Sequence, residues 1–196
     1  MTTTTPEQAE RLRRMFKLMN PVMVWQWRLG LGKLMNMGPE RLTGRYMVLT
    51  HIGRKSGDRH LTPVNFTLHE GDIYCTAGFG EIADWYRNIK ANPHVEVWLP
   101  DGWWAGVAEE IPQSDERWLP LLRRVLIASG FAARLFGVNP DRLDDEALRA
   151  VAADYRVIRI RRTEARTGPY GPGEYAWVWP LATFLLLLRP RRRRKK

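Results

Sequence analysis

Leu49-Thr50-His51-Ile52-Gly53-Arg54-Lys55-Ser56-Gly57-Asp58, running on into Arg59-His60-Leu61-Thr62-Pro63-Val64-Asn65, is the stretch on which the fold turns. Its first part closes a run from residue 45 to residue 52 rich in β-branched, aromatic and other apolar side chains. Its last part opens a second such run, from 59 to 68, and both read as strands. Residues 53–58 between them hold two glycines, two cations and a serine, the make-up of a tight reversal. The unit is a hairpin. Pro63 has no N–H to give to a ladder, which places it at a strand edge or a bulge.

The same pattern repeats downstream. Strands are expected near 73–77, 94–99 and 103–111, with turns at Glu70-Gly71-Asp72 and Pro100-Asp101-Gly102. Residues 82–91 read as a helix stopped by Asn92-Pro93. Further helices are expected over 115–129, where Asp115 and Glu116 favour a start, and over 140–153, with a break or short helix across 130–140. Ser114 with Arg117 makes an imperfect capping box. Across 155–161, Val157, Ile158 and Ile160 interleave with Arg156, Arg159 and Arg161, the mark of a last strand.

Upstream, Thr5-Pro6 is a helix-start signal, and Leu12, Met15, Phe16 and Met19 recur at helical spacing over 8–20. Pro21 restarts a second helix carrying Val24, Trp25, Trp27, Leu31, Leu34 and Met35, which ends near Gly38-Pro39. The expected fold class is therefore α+β. About six mostly antiparallel strands form a small barrel, with N-terminal helices, a helical insertion and a hydrophobic and basic tail. No GxGxxG follows a strand, which argues against a doubly wound sheet. Three parts are expected: a helical cap over 1–38, the barrel over 39–165, and a linker, apolar segment and tail over 166–196.

A chain of 196 residues with 44% hydrophobic content can bury one sizeable core. The net charge of +10 is mostly terminal, since seven of the 31 basic residues are Arg189, Arg191, Arg192, Arg193, Arg194, Lys195 and Lys196, leaving 24 against 21 acidic ones. No aromatic stacking platform accompanies that cluster, so nucleic acid is a poor fit. Cys75 stands alone and reads as a small buried hydrophobe, which suits a reducing, cytoplasmic setting. Residues 1–10 contain no apolar signal core.

Residues 176–188 carry no charge and follow a linker with Gly168, Gly171, Pro172 and Gly173. As a helix they would reach ~20 Å, short of the ~30 Å hydrocarbon layer. One reading of 176–196 is shallow insertion at an anionic membrane surface, with Trp177 and Trp179 among the headgroups. The other is a tail that packs on its own domain or stays without structure.

The hairpin motif, then Thr62-Pro63-Val64, then Ala77-Gly78-Phe79-Gly80, then Asp84-Trp85-Tyr86-Arg87-Asn88-Ile89-Lys90-Ala91-Asn92-Pro93, in this order, resemble the deazaflavin-dependent nitroreductase family. The resemblance covers roughly residues 44–111, and the strand at 155–161 fits the family's layout. It implies a split β-barrel holding coenzyme F420, a deazaflavin whose tail carries a phosphodiester and a glutamate chain. Independently of the family, Gly53 and Gly57 let the turn expose backbone N–H groups, and Arg54, Lys55 and Ser56 add two charges and a hydroxyl. An anionic tail can dock on such a turn.

The resemblance carries further positions with it. The family's basic residue past the turn falls on His60, with Arg59 beside it, and its ring site falls on Thr62, Pro63, Val64 and Asn65. Thr76, Ala77, Gly78, Phe79 and Gly80 lead small side chains into a helix start, where the family often has a lysine and a longer loop. Asp84, Trp85, Tyr86 and Asn88 belong to the helical motif, with Trp85, Asn88 and Ile89 on one face.

The implied reaction is hydride transfer to a small organic acceptor: an activated alkene, a quinone or a nitro compound. Such chemistry belongs to the coenzyme and requires no triad. His51, His60, His69 and His94 are scattered without metal spacing, and no metal is expected. Tyr46, Tyr74, Tyr86 or solvent would supply the proton. The acceptor pocket should involve the cap and residues 130–140, and Trp25 and Trp27 either line it or pack on the barrel. A non-catalytic F420 carrier is one alternative. A split barrel binding flavin mononucleotide (FMN) is another, kept open by His60 and Phe79.

Overall fold

In a computed structural model that describes residues 6–188, the hairpin forms from β1 (Tyr46–Ile52) and β2 (Arg59–His69), paired antiparallel with Leu49 opposite Thr62 and His51 opposite His60. β3 (Asp72–Ala77), β4 (His94–Leu99), β5 (Gly102–Ile111) and β6 (Arg156–Ala165) complete a closed barrel in the order β1-β2-β3-β6-β5-β4, every pairing antiparallel. The α+β split barrel expected from the sequence is the fold. β6 outruns its alternating segment by four residues because β5 offers it a partner as far as Ala165.

The split in the barrel lies between β2 and β3. These strands pair only from His69–Asp72 at the turn to Phe66–Cys75, beyond which β2 stays with β1 while β3 stays with β6. Residues 59–65 thus have a neighbour on one side and an open edge on the other. The Phe66 amide donates to the Arg45 carbonyl at 3.2 Å, so by antiparallel alternation the nitrogen of Pro63 points to the open edge. Proline there costs no ladder bond.

Apolar side chains on the inner faces, including Met47, Leu49, Phe66, Ile73, Val97, Ile158 and Ile160, fill the barrel. Cys75 belongs to this core, where burial pushes its thiol up to about 12. A second core lies where α5 (Trp118–Ala128), α6 (Phe131–Leu135) and α7 (Asp145–Val151) cover the outer face carrying Tyr74 and Val157. Asp144 caps α7 by accepting from the Ala147 amide at 2.8 Å. A third, small core joins Trp27 to Val48 and Trp98.

The N-terminal segment departs from expectation. α1 (Pro6–Arg28) runs unbroken through Pro21 rather than restarting there. Proline removes one backbone bond, but the helix is held on both sides of it, by Phe16 stacked on Phe136 and by Trp27 buried on the barrel. Two single-turn helices follow, α2 (Gly32–Met35) and α3 (Glu40–Thr43). α4 (Asp84–Ala91) lies between β3 and β4, and α8 (Val178–Leu187) follows β6. Thr5 and the basic residues of 189–196 lie outside the described residues.

Gly80, assigned to the coenzyme from sequence, serves the fold. It is buried at φ +57°, and a Cβ there would lie 2.4 Å from the Asp154 carbonyl oxygen. Gly80→Ala is expected to lower stability by ~1–3 kcal/mol, read as a fall in thermal midpoint. An unchanged midpoint would contradict this close packing.

Candidate functional site

The open edge of β2 forms one wall of a cavity of about 530 Å³, within the range of small-molecule sites. Leu61, Thr62, Pro63, Val64 and Asn65 line this wall, and Thr76, Gly78 and Phe79 at the end of β3 face it across the split. Arg54, Lys55, Ser56 and His60 come from the hairpin turn and its exit, and Asp84, Trp85 and Asn88 from α4. α1 closes another side with Arg13, Phe16, Lys17 and Asn20, and α6 closes it with Ala132 and Ala133, next to Phe136.

The lining has two chemistries. Phe136 stacks on Phe16 at 5.7 Å and meets Phe79 edge-on at 5.2 Å, so three aromatics distant in sequence make one apolar wall. Cations make the other part. Among the described residues no ion pair engages Lys55 or Lys17, whereas Arg54 is held by Asp84 at 3.4 Å.

A buried chain of hydrogen bonds joins the turn to the open strand. Arg54 donates to Asn88 Oδ1 through its backbone N–H at 3.1 Å and through Nη1 at 3.0 Å. Arginine only donates, so Asn88 Nδ2 is the donor toward His51 Nδ1, at 3.1 Å. His51 therefore carries its proton on Nε2 and donates to Thr62 Oγ1 at 3.1 Å. The Thr62 hydroxyl accepts that bond and keeps its own O–H to donate, and Thr62 lines the cavity. Asn88 is 4% exposed, yet its amide is satisfied by protein groups, so it positions the site.

His51 is 3% exposed, and burial, then the neighbouring His60, lowers its pKa to about 4. In the unfolded chain an ordinary histidine takes its proton near 6.5, so between about 6.5 and 4 the unfolded state binds more protons. Stability is therefore complete above pH ~6.5 and falls as the pH drops toward ~4, by about 3 kcal/mol in all. Thermal midpoints measured from pH 7 to pH 4.5 should show this slope, and His51→Gln should flatten it.

Several residues assigned to the coenzyme from sequence lie elsewhere. Gly57 is in the turn but at φ +75° with open space around it, and its role is to reverse the chain. Arg59 points to the opposite face from His60, where it pairs with Glu96 at 2.5 Å and lies over Trp103. Ala77 is in the barrel core. Tyr86 is buried there too, its hydroxyl donating to Glu110 at 2.8 Å, and Gly80 packs on Asp154. Arg54, Lys55, Ser56, His60, Thr62, Pro63, Val64, Asn65, Thr76, Gly78, Phe79, Asp84, Trp85 and Asn88 do meet around the cavity.

None of the three tyrosines considered as proton donors lines the cavity, Tyr74 being buried under the outer helices. Trp25 and Trp27 do not line it either. Trp27 packs on the barrel, and Trp25 stacks on Tyr175 at 5.3 Å. Sequence reasoning expected the cap and residues 130–140 at the pocket, and both line the cavity, but it named none of their side chains there and missed His51. Positions 13, 16, 17 and 20 do share a helix face, but a face of mixed polarity gives no burial signal.

Residues 31–138 match the family described as F420H(2)-dependent quinone reductase. No curated protein matches the chain in sequence. Among solved structures, an F420-H2 dependent reductase (FDR-A) is 22% identical with a TM-score of 0.42, over 59% of this chain and 93% of that one. An F420 reductase is 20% identical with a TM-score of 0.42, over 65% and 92%. The heme storage protein HutZ from Vibrio cholerae is 14% identical with a TM-score of 0.43, over 61% and 82%. Scores this low add nothing to the reading of function. The family match is different in kind: it spans more than half of the chain, from before α2 through α6, and takes in the hairpin turn, the open strand and α4. The chain accordingly belongs to the F420H(2)-dependent quinone reductase family and is, as a member, an oxidoreductase.

Proposed function

We propose that the cavity holds coenzyme F420 and that the protein reduces a small organic acceptor there, a quinone ahead of an activated alkene or a nitro compound. The observation that carries this reading is the meeting, in one cavity, of an unpaired strand edge, a wall of three aromatics and a cationic turn. The residues fit the coenzyme. A Cβ on Gly53 would meet His60 Nε2 at 2.7 Å and Ser56 Oγ at 2.8 Å, so the turn is drawn tight against His60, and Lys55 beside it has no ion-pair partner among the described residues.

Arg54, Lys55, Ser56 and His60 would hold the anionic tail, and the edge from Thr62 to Asn65 the ring. When bound, F420 supplies two-electron hydride chemistry. The chain orients the ring with the Thr62 hydroxyl, excludes water with Phe16, Phe79 and Phe136, and leaves the acceptor's proton to solvent at the cavity mouth. His51 is neutral near pH 7 and is no acid there.

Fluorescence titration of the purified protein with F420 and, separately, with FMN tests the cofactor. Preferential F420 binding, followed by its oxidation on adding a soluble quinone, is expected. Preference for FMN would overturn the cofactor assignment, and F420 binding without turnover of quinone, enone or nitro acceptors would leave a carrier.

A further inference from the structure

α1 is amphipathic the wrong way round for a surface helix. The side it turns to the cavity bears Arg13, Lys17 and Asn20 with Phe16. About half a turn away, at 100° per residue, its outward side carries Met15, Leu18, Met19, Val22 and Trp25, with Leu18 78% exposed. α8 is apolar on every side. Residues 183–188 are all exposed, and six consecutive positions cover the whole circumference of a helix.

The structure brings these two elements together. The Gly173 amide donates to the Trp27 carbonyl at 2.9 Å, Tyr175 to Arg28 at 2.8 Å, and Trp179 Nε1 to the Leu29 carbonyl at 2.8 Å. Trp25 stacks on Tyr175 from the α1 side. The base of α8 is therefore fixed to the end of α1, and the rest of α8 projects.

We propose that the outward face of α1 and the whole of α8 form one surface that docks on an anionic lipid bilayer. A second protein copy would cover one side of α8 and leave the others in water, whereas acyl chains surround a helix. Val178–Leu187 spans ~15 Å, half of the ~30 Å hydrocarbon layer, and no helix among the described residues is long and apolar enough to cross. Directly after Leu188 the sequence places seven basic residues in eight positions, a charge complementary to anionic headgroups. Trp177 and Trp179 mark the other end at headgroup level. Arg11, exposed on α1 between the apolar positions, adds to the cationic rim.

Co-sedimentation of the full chain with phosphatidylglycerol/phosphatidylcholine vesicles, against phosphatidylcholine alone, tests the surface. Binding to the anionic vesicles is expected, at least about tenfold weaker on the neutral ones or in high salt. Leu18→Ser with Val22→Ser, on α1, and Leu185→Ser with Leu187→Ser, on α8, should each weaken it by about tenfold or more. Unchanged F420 titration of both variants without lipid verifies their folding. That titration also separates failure here from failure of the cofactor reading.

A protein that stays in the supernatant with anionic vesicles overturns the proposal. So does one whose α8 variant merely loses a dimer on size exclusion, which would make a second copy the occupant. An α1 variant that binds as well as the parent overturns the joint surface. Quenching of Trp25 by brominated acyl chains, lost in Trp25→Phe, is the outcome a tail acting alone would not produce.

Discussion

Lys55→Ala, alone or with Arg54→Ala, is expected to weaken F420 binding while sparing a deazaflavin that lacks the phosphodiester tail. Lys55 lines the cavity and has no ion pair among the described residues, so removing it breaks nothing in the protein. A charge-assisted hydrogen bond to an anion contributes ~1.5–3 kcal/mol, which converts to a loss of roughly 10- to 150-fold in affinity. The parent affinity should also fall with salt, and the variant's less so. Arg54→Ala adds a second effect, because the Arg54 guanidinium also donates to Asn88 and pairs with Asp84. Equal affinity of parent and Lys55→Ala for F420 would remove the turn from the coenzyme site.

Asn88→Ala has the largest expected effect on the protein itself. It leaves His51 Nδ1, at a residue 3% exposed, without a donor, and takes the acceptor from the Arg54 backbone N–H and guanidinium, the latter keeping only Asp84. A buried group stripped of its partner costs about 1–3 kcal/mol, so the thermal midpoint should drop by several degrees. F420 affinity should fall with it, since the Thr62 hydroxyl is no longer aimed by a fixed imidazole tautomer. Asn88→Asp separates positioning from simple packing. It keeps an acceptor for Arg54 but presents a carboxylate to His51 Nδ1, which then must carry a proton to make the bond. The His51 pKa should rise from about 4, and an NMR titration of its ring protons would read the shift. No shift in Asn88→Asp would show that the hydrogen-bond chain does not set the histidine's state.

The two substitutions also show where sequence is informative and where it is silent. Lys55 was visible because a glycine-bounded turn with two cations describes its own chemistry within six residues. Asn88 was visible only as an amide sharing a helix face with Trp85 and Ile89, and its partners lie 34 and 37 residues away, at Arg54 and His51. His51 looked like any residue at the end of a strand. Arg59 and Tyr86 lie outside the cavity lining because a motif supplies neighbours in sequence, while a strand and a helix send those neighbours to different faces.

By itself the sequence determined the strands, the turns between them and the order of the motifs, hence the antiparallel barrel and the cationic hairpin. These follow from forces acting over a few residues: side-chain alternation, the φ > 0 of Gly57, the missing N–H of Pro63. Only the tertiary structure decided that β2 and β3 part beyond the Phe66–Cys75 pair, that α1 continues through Pro21, and that Phe16, Phe79 and Phe136 share a wall. It alone set the base of α8 on the end of α1. Periodicity states that a residue has a buried or an exposed side but never which distant residue meets it there, and each of these features is a meeting of segments far apart in the chain.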